Sequence, residues 1–273
     1  MMPLSGQVAL LTGGTRGIGR AMALQLAQAG VHVALAAKSD VPHPTLPGTL
    51  GSVCAEIQDF GVEALGIRTD VREASQIEAA VQGVVHHFGR LDIVIHNAGA
   101  LQLSPLTSTP LKHYDLMQAI NERALFVLAQ TSIPHLLKAP RPHLLALSPP
   151  LNLRPEWLGK FIPYTVSKYG MSLLMAGLAT ELAGRIACNT LWPRTVIATA
   201  ATERFAGEAI YPVSRTPAIM ADALMALLNM SPVPNGYHWL DEDILAQKGC
   251  IDFSAYRCQP GDQPLQLDFY VDE

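Results

Sequence analysis

The sequence predicts an α/β fold, a doubly wound parallel sheet within one domain, and three observations predict it. Short apolar runs alternate with helical patterns from the first residues onward, as βαβ units require. A length of 273 residues suits one large α/β unit and would cramp two domains of ordinary size. Apolar residues make up 49% of the chain and charged residues 15%, which supplies a sizeable core and excludes global disorder.

In chain order, the first strand is predicted over 8–11 and is followed by a helix over 18–29 that ends at Gly30, a natural C-cap. A strand over 31–37 completes the first βαβ unit. The pattern repeats with a helix over 52–60, a strand over 64–67, a helix over 75–88 and a strand over 92–95. A long helix over 114–137, a strand over 143–147, a helix over 164–183 and a strand over 186–191 bring the sheet to six strands. After an irregular stretch to 217, a helix over 218–229 and a last strand over 237–240 follow. Residues 40–48, rich in Pro, and the extension over about 242–273 read as loop rather than core, from their Pro, Gly and Asp content.

Nineteen Lys and Arg against 23 Asp and Glu give a net charge of −4, the wrong sign for gripping a phosphate backbone, so no nucleic-acid partner is expected. The amino terminus lacks a secretory pattern, and no apolar run approaches the roughly 20 residues of a membrane span, so a cytoplasmic protein is expected. Cys54, Cys188, Cys250 and Cys258 form no CxxC pair and signal neither a metal site nor a disulfide framework.

Directly after the first strand stands Thr12-Gly13-Gly14-Thr15-Arg16-Gly17-Ile18-Gly19, and a helix begins there. Glycines in a strand-turn-helix let the backbone approach a pyrophosphate closely at a helix N-terminus, which predicts a dinucleotide-binding Rossmann domain. Gly13, Thr15, Arg16, Gly17, Ile18 and Gly19 are its first cofactor candidates. The second strand ends Ala36-Ala37-Lys38-Ser39, where an NAD site would want a carboxylate for the ribose 2′-hydroxyl. Lys38 and Arg16 suit a 2′-phosphate instead, which favours NADP(H) over NAD(H).

Tyr164 and Lys168 stand four apart on one predicted helix and share a face. A neighbouring ammonium and an oxidised nicotinamide both favour the phenolate of a tyrosine whose free pKa is about 10. The pair then serves as an acid-base catalyst.

TGGTRGIG at 12–19, Asp70-Val71, Asn97-Ala98-Gly99, Asn121, Ser148 and Tyr164-xxx-Lys168 together resemble the short-chain dehydrogenase/reductase family over nearly the whole chain. AAKSDVPHP at 36–44, LSPPLNLRPEW at 147–157, LWPRTVIATAA at 191–201 and the tail QLDFYVDE resemble its hydroxysteroid dehydrogenase-like protein 2 subfamily. Members of that subfamily can carry a sterol-carrier domain after the reductase, and lipid transfer by such a domain is not expected of this chain.

The resemblance implies that Tyr164 is the acid-base, Lys168 its modulator and ribose ligand, and Ser148 a donor to the substrate oxygen, with Asn121 completing a tetrad that returns protons through water. It further implies that Asp70 and Val71 hold the adenine, that Asn97, Ala98 and Gly99 line the cofactor, and that Pro193, Thr195 and Val196 meet the nicotinamide carboxamide. Three departures stand out: His96 in place of an Asn, 16 residues from Ser148 to Tyr164 with Pro149-Pro150 between, and Arg194 in place of a glycine.

The substrate side is expected from 151–161 and a loop over about 194–217, made apolar by Trp157, Phe161, Trp192 and Phe205. The expected activity is hydride transfer between NADP(H) and a hydrophobic carbonyl or alcohol. The alternatives are a 3-oxoacyl thioester reductase and a catalytically silent NADP-binding scaffold. Association through the helices over 114–137 and 164–183 into a homodimer or homotetramer is implied.

Overall fold

The structure is a computed structural model that describes residues 4–44 and 46–272. The ends of the predicted domain at 1–3 and 273, and position 45 of the Pro-rich segment, lie outside the described residues. Among the described residues seven strands form one parallel sheet: β1 (Val8–Thr12), β2 (His32–Ala37), β3 (Ala64–Arg68), β4 (Ile93–His96), β5 (His143–Leu147), β6 (Ala187–Trp192) and β7 (His238–Leu240). Their spatial order is β3-β2-β1-β4-β5-β6-β7, so the winding reverses between β1 and β4. Ligands of open α/β sheets bind at such a reversal, beyond the carboxyl ends of the strands.

The strands are apolar on both faces, and the period of two sends alternate side chains to opposite layers. Ala9, Leu11, Val33 and Leu35 pack under α1 (Gly17–Gln28), α2 (Leu50–Gln58) and, further along the chain, the helix over 218–228. Val8, Leu10, Ala34 and Ala36 pack on the other side under α3 (Ala74–Phe88) and the helices that follow it. Thr12 pairs with both Ala36 and His96, which brings the ends of β1, β2 and β4 level at one edge.

The predicted helix over 114–137 is two helices, α4 (Leu111–Gln118) and α5 (Ala124–Leu136), joined by a π turn over Ala119–Arg123. A π turn inserts a residue into the helical repeat, which periodicity alone does not register, and such turns gather at functional sites. Here it buries Asn121 completely. The stretch before Tyr164 contains a short helix, α6 (Pro155–Lys160), and then α7 (Ile162–Glu181). The irregular stretch to 217 holds α8 (Ala200–Ala206), opened by reciprocal Thr199 and Thr202 caps, and a 3-10 segment over Gly207–Val213.

The expectation that the C-terminal extension is loop outside the core is corrected. After α9 (Ala218–Leu228), α10 (Asp241–Gln247) packs into the first core, and Tyr270 and Val271 are buried in a third cluster with Met117, Tyr164, Tyr169 and Trp192. No helix among the described residues is long and apolar enough to cross a membrane.

Candidate active site

A cavity of about 510 Å³ opens at the reversal point. The glycine turn lines one end of it, and Tyr164 and Lys168 line the other. Gly13 has φ +70, and a Cβ there would stand 3.0 Å from the Ala98 Cα; a Cβ on Gly19 would stand 2.4 Å from the Gly13 carbonyl oxygen. The turn therefore admits no side chain at either position. Asn97 locks it to β4 by donating from Nδ2 to the Thr12 and Gly13 carbonyls (3.1 and 2.9 Å). Arg16, the N-cap of α1, caps no backbone N–H, and the first turn of α1 carries no acidic side chain. Its free N–H groups suit an anion.

Arg16 reaches the Ser39 hydroxyl, and Lys38 stands beside it at the end of β2. Lys38 Nζ lies 3.0 Å from an Asp70 carboxylate oxygen. The guanidinium of Arg72, and then Lys38, hold the Asp70 carboxyl well below the usual carboxylate range. Val71, Ala98 and Gly99 also face the cavity. A cradle that excludes side chains and a helix start with uncapped N–H donors fit the pyrophosphate of a nicotinamide dinucleotide.

Sequence reasoning missed how the Pro-rich segment contributes. Gly48 has φ +80, and a Cβ there would meet the Thr15 carbonyl oxygen at 1.9 Å, so this segment presses directly on the phosphate turn. Its signal was the isolated glycine at the segment's end. Gly48→Ala is expected to cost about 1–2 kcal/mol from the left-handed backbone alone, and the clash adds to that. An unchanged thermal midpoint together with unchanged NADPH affinity would show that the segment does not support the turn.

His96, the first departure, is wholly buried and bridges two elements. Nε2 donates to the Ile120 and Asn121 carbonyls (both 3.1 Å), which leaves Nδ1 to accept from the Thr12 hydroxyl (3.0 Å). Burial, and secondarily Lys168, push its pKa down to about 4, so the ring is neutral. Asn121 Oδ1 accepts from Ala100 N–H (2.8 Å), and its Nδ2 donates to the Ala100 carbonyl and the Ser167 hydroxyl (3.0 and 2.9 Å). Asn121 lies behind the cavity wall, tying the loop after β4 to α7.

Tyr164 and Lys168 sit one turn apart on α7, as their spacing requires. The Tyr164 hydroxyl has no hydrogen-bond partner among the described residues. Burial raises its pKa well above the ordinary tyrosine value, with Tyr270 and Asp268 adding to the effect. The phenolate expected from the lysine's proximity is therefore not the form the protein alone favours. Lys168 Nζ instead donates to the Leu147 carbonyl (2.8 Å) and lies 5.2 Å from the Trp192 ring centre, and burial lowers its pKa to about 8.

Ser148 is not brought to the cavity. It is wholly buried, and its hydroxyl bonds the Ser172 hydroxyl and lies 3.5 Å from the Lys168 carbonyl, both on α7. Pro149 and Pro150 have no backbone N–H with which to close the turn, and Ser172 donates to the Pro149 carbonyl (2.6 Å) in their place. The serine hydroxyls are spent on fixing this turn.

Arg194 takes an ordinary backbone conformation, so no glycine is needed there. Its N–H donates to Asp241 Oδ1 (2.9 Å), and its guanidinium pairs with Glu242 (3.2 Å) and Asp243 (2.7 Å) at the start of α10. Pro193 and Val196 line the cavity, whereas Thr195 is buried and its hydroxyl has no hydrogen-bond partner among the described residues.

The C-terminal segment runs along this stretch as a strap. Val196 N–H donates to the Gln266 carbonyl, Thr195 and Leu267 form an antiparallel bridge, and Asp268 N–H donates to the Arg194 carbonyl (2.9 Å). Trp192 donates its indole N–H to the Phe269 carbonyl (3.0 Å). Asn152 and Trp157 both donate to the Asp272 carboxylate (2.8 and 2.9 Å). Asp268 and Phe269 thereby join the cavity wall beside Tyr164. Of the four aromatics expected at the substrate side, Trp192 lines the cavity, Trp157 and Phe161 pack behind the strap, and Phe205 is exposed on α8. The signal for the strap was the run Leu267, Phe269, Tyr270 and Val271, too apolar for a solvated tail.

The short chain dehydrogenase family profile matches residues 7–209. Hydroxysteroid dehydrogenase-like protein 2 of Danio rerio is 45% identical over 269 residues, which cover 98% of this chain and 65% of that protein. The Homo sapiens protein of the same name is 41% identical over 277 residues, covering 100% of this chain and 66% of that one. The chain thus spans slightly less than two thirds of these relatives. A crystal structure of a short chain dehydrogenase from Mycobacterium thermoresistibile superposes with a TM-score of 0.93 at 43% identity, covering 98% of this chain and 96% of that one.

Proposed function

The chain belongs to the short-chain dehydrogenase family of nicotinamide-dependent oxidoreductases, and from that premise we propose that it interconverts a hydrophobic carbonyl and its alcohol with NADP(H), using Tyr164 as acid-base. The observation that carries this reading is a single cavity with the glycine turn, Arg16 and Lys38 at one end and Tyr164 with Lys168 at the other. When bound, the cofactor supplies or accepts the hydride.

The remaining work belongs to the chain. Tyr164, held neutral by burial, has a proton ready for a carbonyl oxygen. Lys168 provides positive charge at the same wall. Leu101, Leu147, Trp192 and Phe269 give that end an apolar lining, which supports a hydrophobic substrate. Exposed Phe126 on α5, with Val166 and Leu173 on α7, supports self-association through those helices.

The test follows NADPH consumption with hydrophobic ketones, aldehydes and 3-oxoacyl thioesters. Turnover by the native protein sustains the reading and ranks the substrate classes; NADPH binding with no turnover of any class would transfer support to a silent binding protein.

Cofactor preference is tested separately. Lys38 and Arg72 both pair with the Asp70 carboxylate (3.0 and 2.5 Å), two positive charges against one, so this corner keeps a net positive charge for a 2′-phosphate. Removing one charge-assisted contact worth about 1.5–3 kcal/mol weakens binding roughly 10- to 150-fold. Lys38→Ala is expected to weaken NADPH by that factor and NADH by less than about twofold. Equal weakening of both, measured by nicotinamide fluorescence, would refute the 2′-phosphate role.

A further inference from the structure

At the catalytic end of the cavity, most polar side chains are already committed. Trp192 Nε1 donates to the Phe269 carbonyl and Asn97 Nδ2 to the glycine turn, while Lys168 Nζ has spent one of its three N–H bonds on the Leu147 carbonyl. Ser148, the donor expected for the substrate oxygen, is turned into α7. Thr199 and Thr202 cap each other at the start of α8. Beside Tyr164 and the two remaining N–H bonds of Lys168, this leaves Asp268 of the strap. One of its oxygens accepts from the N–H of Phe269 (2.6 Å), and its second oxygen is not engaged by any donor among the described residues.

The strap fixes where this carboxyl stands. The Asp268 N–H is bonded to the Arg194 carbonyl, the residues on either side are bonded to β6 and the segment after it, and Tyr270 is wedged among aromatic rings. We propose that Asp268 is a catalytic residue of this reductase, its carboxylic acid donating a hydrogen bond to the same substrate oxygen that Tyr164 protonates, in the role Ser148 does not fill. The proposal rests on the reductase reading above. The proton that ends on the product alcohol comes from Tyr164, the electron pair of the carbonyl bond moves to the oxygen that receives it, and the Tyr164 phenolate regains its proton from solvent.

A carboxyl donates only while neutral, and the surroundings favour that state. Burial raises its pKa to about 7. The groups that face it are Lys168 and Tyr164 from α7, Asp241 from α10 and Tyr270 of the strap; Asp241 pushes the pKa up and the Lys168 ammonium pulls it down. Carbonyl reduction is therefore full below about pH 7 and falls above it, as ionisation removes the donor and sets a negative charge against the developing alkoxide.

Asp268→Ala is expected to lower kcat for carbonyl reduction about 10²–10³-fold, as removal of one preorganised donor does, with NADPH affinity by nicotinamide fluorescence within about twofold of native. Asp268→Asn keeps an N–H donor; it is expected to retain turnover within about tenfold and to lose the fall above about pH 7. Infrared difference spectra are expected to show two titrating protonated-carboxyl bands in the native protein, from Asp268 and from Asp241, whose pKa burial raises to about 6, and to keep only the second in Asp268→Asn, a readout independent of turnover. Native-like kcat in Asp268→Ala, or in Asp268→Asn a native pH fall or both bands, would overturn the proposal alone. Should Asp268→Ala not fold, the Asn variant decides. A native protein that binds NADPH and reduces nothing overturns the reductase reading, and Asp268's role with it.

Discussion

Tyr164→Phe is expected to lower turnover of every accepted carbonyl by about 10²–10⁴-fold, the range for loss of a positioned general acid. NADPH affinity is expected to stay within about twofold of native. The substitution removes one oxygen and nothing structural. No hydrogen bond among the described residues depends on that hydroxyl, and the ring keeps its stacking against Tyr270, whose centre is 6.4 Å away. The thermal midpoint should therefore be unmoved. Because burial holds the phenol neutral far above physiological pH, the native protein is expected to show no acid-limb loss from this residue when the carbonyl is reduced. In that direction a neutral tyrosine is the competent form. Retention of most activity in the variant would remove Tyr164 from the mechanism.

The parts of this site that could be read from the chain are those whose geometry is local. A glycine turn between a strand and a helix, and a tyrosine and a lysine four apart on one helix, are fixed by backbone repeat alone. Ser148 shows where local reading stops. Its position at the end of β5 is local, but its direction is decided by the two prolines after it and by Ser172, 24 residues further along. His96 was legible as a departure from a pattern, yet its partners, Thr12 and the carbonyls of the π turn, come from elements 84 and 24–25 residues away. The strap lies furthest out of reach: Asn152 meets Asp272 across 120 residues, and Pro, Gly and Asp in the tail point to loop while the apolar Leu267, Phe269, Tyr270 and Val271 near its end point to core. Composition averaged over the tail concealed the short buried stretch within it.

Tyr270→Ala is the second large effect, and it separates packing from backbone strain. The Tyr270 ring is 2% exposed and lies among Tyr164, Tyr169, Trp157 and Trp192, while its hydroxyl bonds Thr165 (3.1 Å). Truncating a buried ring of this size to alanine costs about 3–5 kcal/mol, which lowers the thermal midpoint of a chain this long by roughly 6–20 °C. Tyr270 also has φ 69, a conformation in which an L residue pays about 1–2 kcal/mol. Alanine still pays that strain, whereas glycine escapes it at an unfolded-state cost of about 0.4–1 kcal/mol. Tyr270→Gly is therefore expected to be at least as stable as Tyr270→Ala, although it is the smaller side chain. Both variants free the strap next to Asp268 and Phe269, so both should raise KM for the carbonyl more than the dissociation constant for NADPH. Thermal unfolding of the two variants beside native protein checks the first expectation, and steady-state kinetics check the second. A glycine variant clearly less stable than the alanine one would show that the strap is not held in this backbone conformation, and an unchanged KM would show that it does not bound the substrate site.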